Sequence, residues 1–144
     1  MNLDKNPLLS KIKNAEQPKT GWNKTEQFLH ENATWKRVLS YFIQENNFLK
    51  NKLSVVVDRE TDKLFIAHAE QFQNEFILKD ECMLDIGNDI KRQENDLQQA
   101  SEQIAAPDHK TCKMQKKLRN EMSNLEKECS NLKIQFNKYL LSIE

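Results

Sequence analysis

Apolar residues recur along most of the chain at alternating steps of four and three, a spacing that averages about 3.5 positions per helical turn. The first such series is Trp35, Leu39, Phe42, Asn46, Leu49, Leu53 and Val56. Phe28 and Asn32 keep the same register upstream of it. The pattern predicts a first helix over about residues 25–57, with Thr25 as its N-cap.

Two further series continue the pattern. The second is Phe65, Ala69, Phe72, Phe76, Lys79, Met83, Ile86, Ile90, Gln93, Leu97, Ala100 and Ile104. The third is Leu118, Met122, Leu125, Cys129, Leu132, Phe136, Tyr139 and Ile143. They predict helices over about 61–105 and 108–143. Thr61 or Asp62 can cap the second helix, Pro107 cannot continue it, and Asp108 can cap the third.

These three helices predict an all-α fold, an elongated antiparallel three-helix coiled-coil bundle spanning residues 25–144. The short connection before Asp108 folds the third helix back onto the second, which places Phe76 beside Phe136. Pairing the first helix with the second about a turn near residues 58–61 places Trp35 beside Leu84. The first helix then does not reach the far end of the second helix. We expect the second and third helices to protrude there as a two-helix tip that frays first.

Composition and charge agree with this class. Two glycines and three prolines among 144 residues are few for a fold with many tight turns. Residues 1–24 contain few apolar groups, and we expect a flexible N-terminal tail there. Acidic residues predominate in 58–104, whereas basic residues predominate in the segments before and after. This alternation favours contacts between unlike neighbouring helices.

The net charge of zero offers no overall attraction to nucleic acid or to an anionic membrane. No apolar run approaches the roughly 20 residues that span a bilayer, and no signal peptide is recognisable. We therefore expect a cytoplasmic protein with reduced thiols at Cys82, Cys112 and Cys129 and no membrane association.

Candidate metal and catalytic residues are sparse. His68 lies beside the second apolar series, but no Glu-x-x-His pair accompanies any histidine, and His109 with Cys112 supplies only two soft ligands. The chain contains no glycine-rich phosphate loop, nucleophile elbow or zinc-protease motif. We predict no metal, no cofactor and no enzymatic activity.

A basic run at the start of the third helix could bind phosphates. It comprises Lys110, Lys113, Lys116, Lys117 and Arg119. The hairpin pairing sets Lys110 opposite Glu102 and Lys116 opposite Asp96, and no aromatic residues alternate with the basic ones. We expect these basic residues to interact with acidic residues within the bundle, and we expect no nucleic-acid partner.

The first helix carries a second apolar stripe outside its core face. Tyr41, Phe48 and Val55 lie seven residues apart on it, and Val38 widens it. Apolar surface left over after a bundle closes indicates a site for a partner helix or a second protomer. The alternative is that the N-terminal tail folds back over the stripe.

A second candidate function belongs to another class, a sensor or carrier of a small apolar ligand. Its pocket would be formed by five aromatic residues, Phe65, Phe72, Phe76, Phe136 and Tyr139. Packing of these rings against one another also explains them. A closed cavity of a few hundred Å³ would favour the carrier. Asn46, Lys79 and Gln93 occupy core positions where they are expected to fix the helix register, or secondarily to form a polar pocket.

Overall fold

The computed structural model describes residues 23–59 and 62–143, and in this part of the chain it contains three α-helices and no strand. The helices are α1 (Lys24–Arg59), α2 (Lys63–Glu102) and α3 (His109–Leu141). They pack as an antiparallel three-helix bundle, which confirms the predicted fold class. The predicted tail falls outside the described residues, except that Asn23 caps α1 and Lys24 belongs to it.

A capping box begins α1. The Asn23 side-chain oxygen accepts a hydrogen bond from the Glu26 backbone N–H at 2.8 Å, and the Glu26 carboxylate accepts one from the Asn23 N–H at 3.3 Å. The prediction of Thr25 as the N-cap was therefore wrong. Thr25 is buried, and its hydroxyl donates a hydrogen bond to the Ala105 carbonyl at 3.3 Å.

Aspartates cap the other two helices: Asp62, one of the two candidates for the second helix, and Asp108, as predicted for the third. The Asp62 side chain accepts a hydrogen bond from the Phe65 N–H at 2.9 Å, and the Asp108 side chain accepts one from the Thr111 N–H at 2.7 Å. The hydrogen bond from the Thr111 backbone holds the pKa of Asp108 below its ordinary value. Each cap fixes where the chain leaves a short connection and enters the bundle.

The core divides into three zones along the bundle axis. The middle zone is mostly aliphatic and comprises Trp35, Leu39, Phe42, Met83, Ile86, Ile90, Leu118, Met122 and Leu125. The end near the α1–α2 connection is rich in aromatic residues and comprises Leu49, Leu53, Phe65, Ala69, Phe76, Leu132, Phe136 and Leu140. At the opposite end, Phe28 and Leu97 are buried among polar side chains, which are Thr25, Asn32, Gln93, Thr111 and Gln115.

The predicted protruding tip is absent from the described part of the bundle, because α1 extends to the end of α2. A methyl group of Leu39 lies 3.5 Å from the position that a Cβ on Gly87 would take, and Lys36 forms an ion pair with Glu94 at 2.7 Å. These contacts shift the pairing by about one heptad from the expected one of Trp35 with Leu84. The predicted helices ended near residue 57 and began near residue 61, whereas α1 ends at Arg59 and α2 begins at Lys63. Side chains also lean toward the N-terminus of their own helix, which shifts the contacts further.

The apolar series also end earlier than predicted. Ile104 is 93% exposed, and in α3 Leu140 is buried while Tyr139 is half-buried and Ile143 is exposed. The α2 helix ends in a Schellman motif, in which the Ala105 N–H bonds to the Ala100 carbonyl at 2.8 Å and the Ile104 N–H bonds to the Ser101 carbonyl at 3.1 Å. This turn gives Ile104 a φ of 52° and directs it out of the core.

Replacing Ile104 with glycine should stabilise the bundle. A β-branched residue at positive φ is strained, whereas glycine adopts this conformation freely, so we expect Ile104→Gly to raise the free energy of unfolding by about 1 kcal/mol in urea titrations. Ile104→Ala keeps the Cβ and should change the stability little. Equal stability of the two variants would show that the strain is not stored at this residue.

Candidate interaction surface

Polar side chains on the core faces of the helices fix how the helices meet. Asn46 is buried and donates hydrogen bonds to the Phe76 carbonyl at 3.0 Å and to the Asp80 carboxylate at 2.6 Å. Lys50 also forms an ion pair with Asp80. Lys79, whose side chain is 14% exposed, pairs with Glu128 at 3.1 Å. Each of these groups would lose its partner if a helix slid along its neighbour.

A second polar cluster joins all three helices through Gln115. The Gln115 amide donates hydrogen bonds to Asn32 at 2.8 Å and to Glu31 at 2.9 Å in α1, and it accepts one from Gln93 of α2 at 3.0 Å. Gln93 also donates to the Thr111 carbonyl at 2.6 Å. The sequence showed polar residues at these positions, but their connection depends on the pairing of α1 with α2. The Asn32 side-chain nitrogen is buried without a hydrogen-bond partner among the described residues.

Removing the Gln115 amide should destabilise the bundle strongly. Gln115→Leu leaves the Asn32 oxygen without its donor and takes one acceptor from Gln93, so we expect a loss of about 2–4 kcal/mol in the free energy of unfolding. Gln98→Leu, at an exposed position of α2, is the matched control and should be nearly neutral. A loss at Gln115 no larger than that of the control would contradict a stabilising role for this cluster.

The predicted stripe on α1 is exposed. Tyr41 is 55% exposed, Phe48 62% and Val55 50%. We call these three residues the α1 stripe. Val38 lies differently from the other three, because it is half-buried and packs against the aliphatic zone of the core. Val38 therefore packs toward the core and adds little exposed surface to the predicted partner-binding site.

Contacts with α3 hold one edge of the α1 stripe. The Tyr41 hydroxyl donates a hydrogen bond to Glu45 at 3.1 Å, and Glu45 also accepts one from Lys133 of α3 at 2.7 Å. The bond to Glu45 raises the pKa of Lys133. The Lys52 ammonium lies 5.8 Å from the centre of the Phe48 ring. Both rings of the stripe thus contact polar or charged side chains of their own chain, and the Tyr41 ring is oriented by its hydrogen bond to Glu45.

Uncharged residues flank the α1 stripe on the outer face of α1, and charged residues lie along its edges. The exposed uncharged neighbours are Ser40, Gln44, Asn47, Asn51 and Ser54. Arg37 and Asp58 lie near the two ends, and Glu45 and Lys52 lie beside Tyr41 and Phe48. A surface with apolar residues at its centre and charged residues at its rim resembles a protein interface.

The five aromatic residues of the alternative pocket do come together. Phe76 and Phe136 are fully buried with ring centres 5.2 Å apart, and Phe72 lies 5.4 Å from Phe136. Tyr139 stacks on Phe65 at 4.9 Å and donates a hydrogen bond to the Phe65 carbonyl at 2.8 Å. The rings fill the space between α2 and α3 themselves.

Two surface grooves flank this aromatic layer. One of about 340 Å³ is lined by Phe72 and Leu132 together with the polar side chains Gln71, Glu75, Lys79, Glu128, Asn131 and Gln135. The other, of about 420 Å³, lies at the end of the bundle beside Phe65, Tyr139 and His68. His68 is exposed, and its ring meets Tyr139 edge-on at 6.2 Å. Neither groove penetrates between the buried rings of Phe76 and Phe136, which are 0% exposed.

No group of three or more His, Cys, Asp or Glu residues within 23–59 and 62–143 is placed to hold a metal ion. The predicted opposition of Lys110 to Glu102 and of Lys116 to Asp96 gives no ion pair among these residues, whereas Arg119 binds Glu31 of α1 through two hydrogen bonds, at 2.6 and 2.8 Å. The hydrogen bond to Glu31 raises the pKa of Arg119.

Cys82 and Cys129 lie close enough to influence each other and are free thiols. Burial raises the pKa of Cys129 to about 11 and also raises the pKa of Cys82, although Lys79 acts in the opposite direction on both. A raised thiol pKa lowers the fraction of thiolate, the reactive form. Both side chains also pack against the aliphatic zone.

Alkylation of Cys129 should report this burial. In a Cys82→Ala/Cys112→Ala background at pH 8, we expect iodoacetamide to modify Cys129 on the order of 100-fold more slowly in the folded chain than in urea. Because the pKa is raised, the folded-state rate should continue to increase with pH beyond about pH 9. A folded-state rate that levels off near that pH would show an ordinary thiol.

No family model, curated protein or solved structure matches the chain. Within the described residues, no helix is both long and apolar enough to cross a membrane.

Proposed function

We propose that this chain is a non-enzymatic helical interaction or scaffold protein whose α1 stripe docks a partner helix or a second protomer. The supporting observation is the exposure of Tyr41, Phe48 and Val55 on a helix whose opposite face is buried in the core. A soluble chain does not need three such residues aligned on one exposed face. A cytoplasmic location and a protein partner in preference to a nucleic acid remain predictions from the sequence.

Physical chemistry favours binding through the rings of the stripe. Fully burying a large apolar side chain contributes about 1.5–3 kcal/mol, and Phe48 is the most exposed member of the stripe. Aromatic residues lose little side-chain entropy when they are already oriented, as Tyr41 is by Glu45. Because Tyr41 and Val55 flank Phe48 on one face of α1, a docked helix can bury all three at once.

The alternative function, a carrier of a small apolar ligand, has weaker support. The aromatic layer is occupied by its own rings, and the grooves beside it are lined partly by charged and amide side chains. A carrier would use a mostly apolar, enclosed cavity. The groove beside Phe65 and Tyr139 is where such a ligand would be sought first.

Binding to host proteins tests the proposal directly. Tyr41→Glu/Phe48→Glu places two charges at positions of the α1 stripe that are more than half exposed, so the variant should keep its helix content and stay folded but lose its partner in a pull-down from the native host. Leu84→Glu is a matched control, since Leu84 on α2 is 63% exposed and Phe48 is 62% exposed. The same set of captured proteins for wild type and for the stripe variant would refute the proposal.

A further inference from the structure

We infer that the occupant of the α1 stripe is a second copy of this chain, docked antiparallel with the two Phe48 side chains near the two-fold axis. The inference rests on the proposed function of the stripe and adds the identity and orientation of the partner. An antiparallel copy would bring complementary side chains together along the stripe and along each of its two edges, and the orientation is inferred from these contacts.

The stripe itself is complementary to its antiparallel copy. Tyr41 and Val55 are equally spaced on either side of Phe48, seven residues or roughly 10 Å away along the helix. Rotation about an axis at Phe48 therefore sets the large Tyr41 of each copy against the smaller Val55 of the other. Both are at least half exposed, so the contact requires no change in the bundle. A symmetric interface of this kind uses the same surface twice.

One edge of the stripe carries unlike charges at its two ends. Residues four before or three after a stripe residue form this edge, which is Arg37, Gln44, Asn51 and Asp58. All four are exposed. In the antiparallel arrangement Arg37 meets Asp58 of the other copy, and Gln44 meets Asn51. Each end of the dimer then holds a pair of opposite charges. A parallel two-fold arrangement would instead set Tyr41 against Tyr41 and Val55 against Val55, which loses the match of a large side chain with a smaller one.

The other edge shows the same complementarity. The positions three before or four after a stripe residue form this edge, and Glu45 and Lys52 lie on it. Antiparallel docking sets Glu45 of one copy beside Lys52 of the other. Glu45 also holds Lys133 within its own protomer, so Lys52 of the second copy would extend an existing ion pair. Arg59, at the end of this edge, meets only the apolar Val38.

Charge does not favour residues 1–22 as the occupant. That segment is basic overall, with Lys5, Lys11, Lys13 and Lys19 against Asp4 and Glu16. The charged residues along the stripe's edges are also more basic than acidic. A second copy avoids this conflict, because the chain has no net charge and each edge supplies its own complement.

Mass measurements on the full chain test self-association. Sedimentation equilibrium over the micromolar range should show the mass rising from that of one chain toward that of two. Phe48→Glu should remain a single chain at every concentration, with unchanged circular dichroism, whereas Leu84→Glu should associate like the wild type. A wild-type chain that stays single throughout would overturn the inference.

A charge exchange tests the orientation. Arg37→Asp sets two carboxylates together at both ends of the dimer and should weaken dimerisation about fivefold or more. The double variant Arg37→Asp/Asp58→Arg restores opposite charges and should return the dimerisation constant to near the wild-type value. A double variant as weak as Arg37→Asp would overturn the antiparallel pairing.

Disulfide cross-linking tests the antiparallel orientation of the two copies directly. With Cys82, Cys112 and Cys129 replaced by alanine, differently tagged Tyr41→Cys and Val55→Cys chains are mixed and oxidised mildly. The antiparallel dimer should give disulfides between position 41 of one chain and position 55 of the other. Cross-links only between two copies of Tyr41→Cys would indicate parallel docking and overturn the inference.

These results separate the identity of the partner from the proposed function. A chain that stays single but loses a host protein on Tyr41→Glu/Phe48→Glu refutes the dimer and supports docking by the stripe. A dimer that is unaffected by Phe48→Glu refutes the inferred dimer interface, while the pull-down still decides the docking function. A single full chain in which the thiol of Phe48→Cys resists alkylation shows the stripe covered from within the chain, which refutes the inference.

Discussion

The hydrogen bonds of Gln115 are the constraint on which the arrangement of the bundle depends. This one buried amide bonds to Asn32 of α1 and to Gln93 of α2, so it ties all three helices at one level. An apolar series that repeats every seven residues would accept a slide by one heptad, because leucines and isoleucines can exchange partners. Buried amides cannot, since a shifted helix would leave them without hydrogen-bond partners. The position of α1, and with it the orientation of the stripe, follows from this restriction.

Ion pairs at the surface favour the same arrangement of the helices, but each of them contributes less free energy. Basic residues of α1 reach acidic residues of α2, as in the pair of Lys36 with Glu94, and basic residues of α3 reach acidic residues of α1, as in the pair of Lys133 with Glu45. Each exposed pair contributes only about 0.2–1 kcal/mol. Their value lies in choosing neighbours, since the apolar core alone would accept several arrangements.

The sequence predicted the helices well because a seven-residue repeat and the two capping aspartates are local signals. It failed where the outcome depends on several elements together. The pairing of α1 with α2 depends on the exact turn and on the lean of side chains, so the expected protruding tip was wrong. Ile104 continued the repeat in sequence, but the Schellman turn directs it into solvent. In the candidate surface, heptad position predicted three exposed residues, whereas Val38, closer to the core face, packs inward.

The division of the core into chemically different zones gives the bundle two ends that respond differently to temperature. The driving force for burying apolar surface weakens on cooling, whereas hydrogen bonds among buried amides do not share that dependence. The end that holds Phe76 and Phe136 therefore depends mainly on apolar burial, whereas the end that holds Gln93 and Gln115 depends also on hydrogen bonds between the helices.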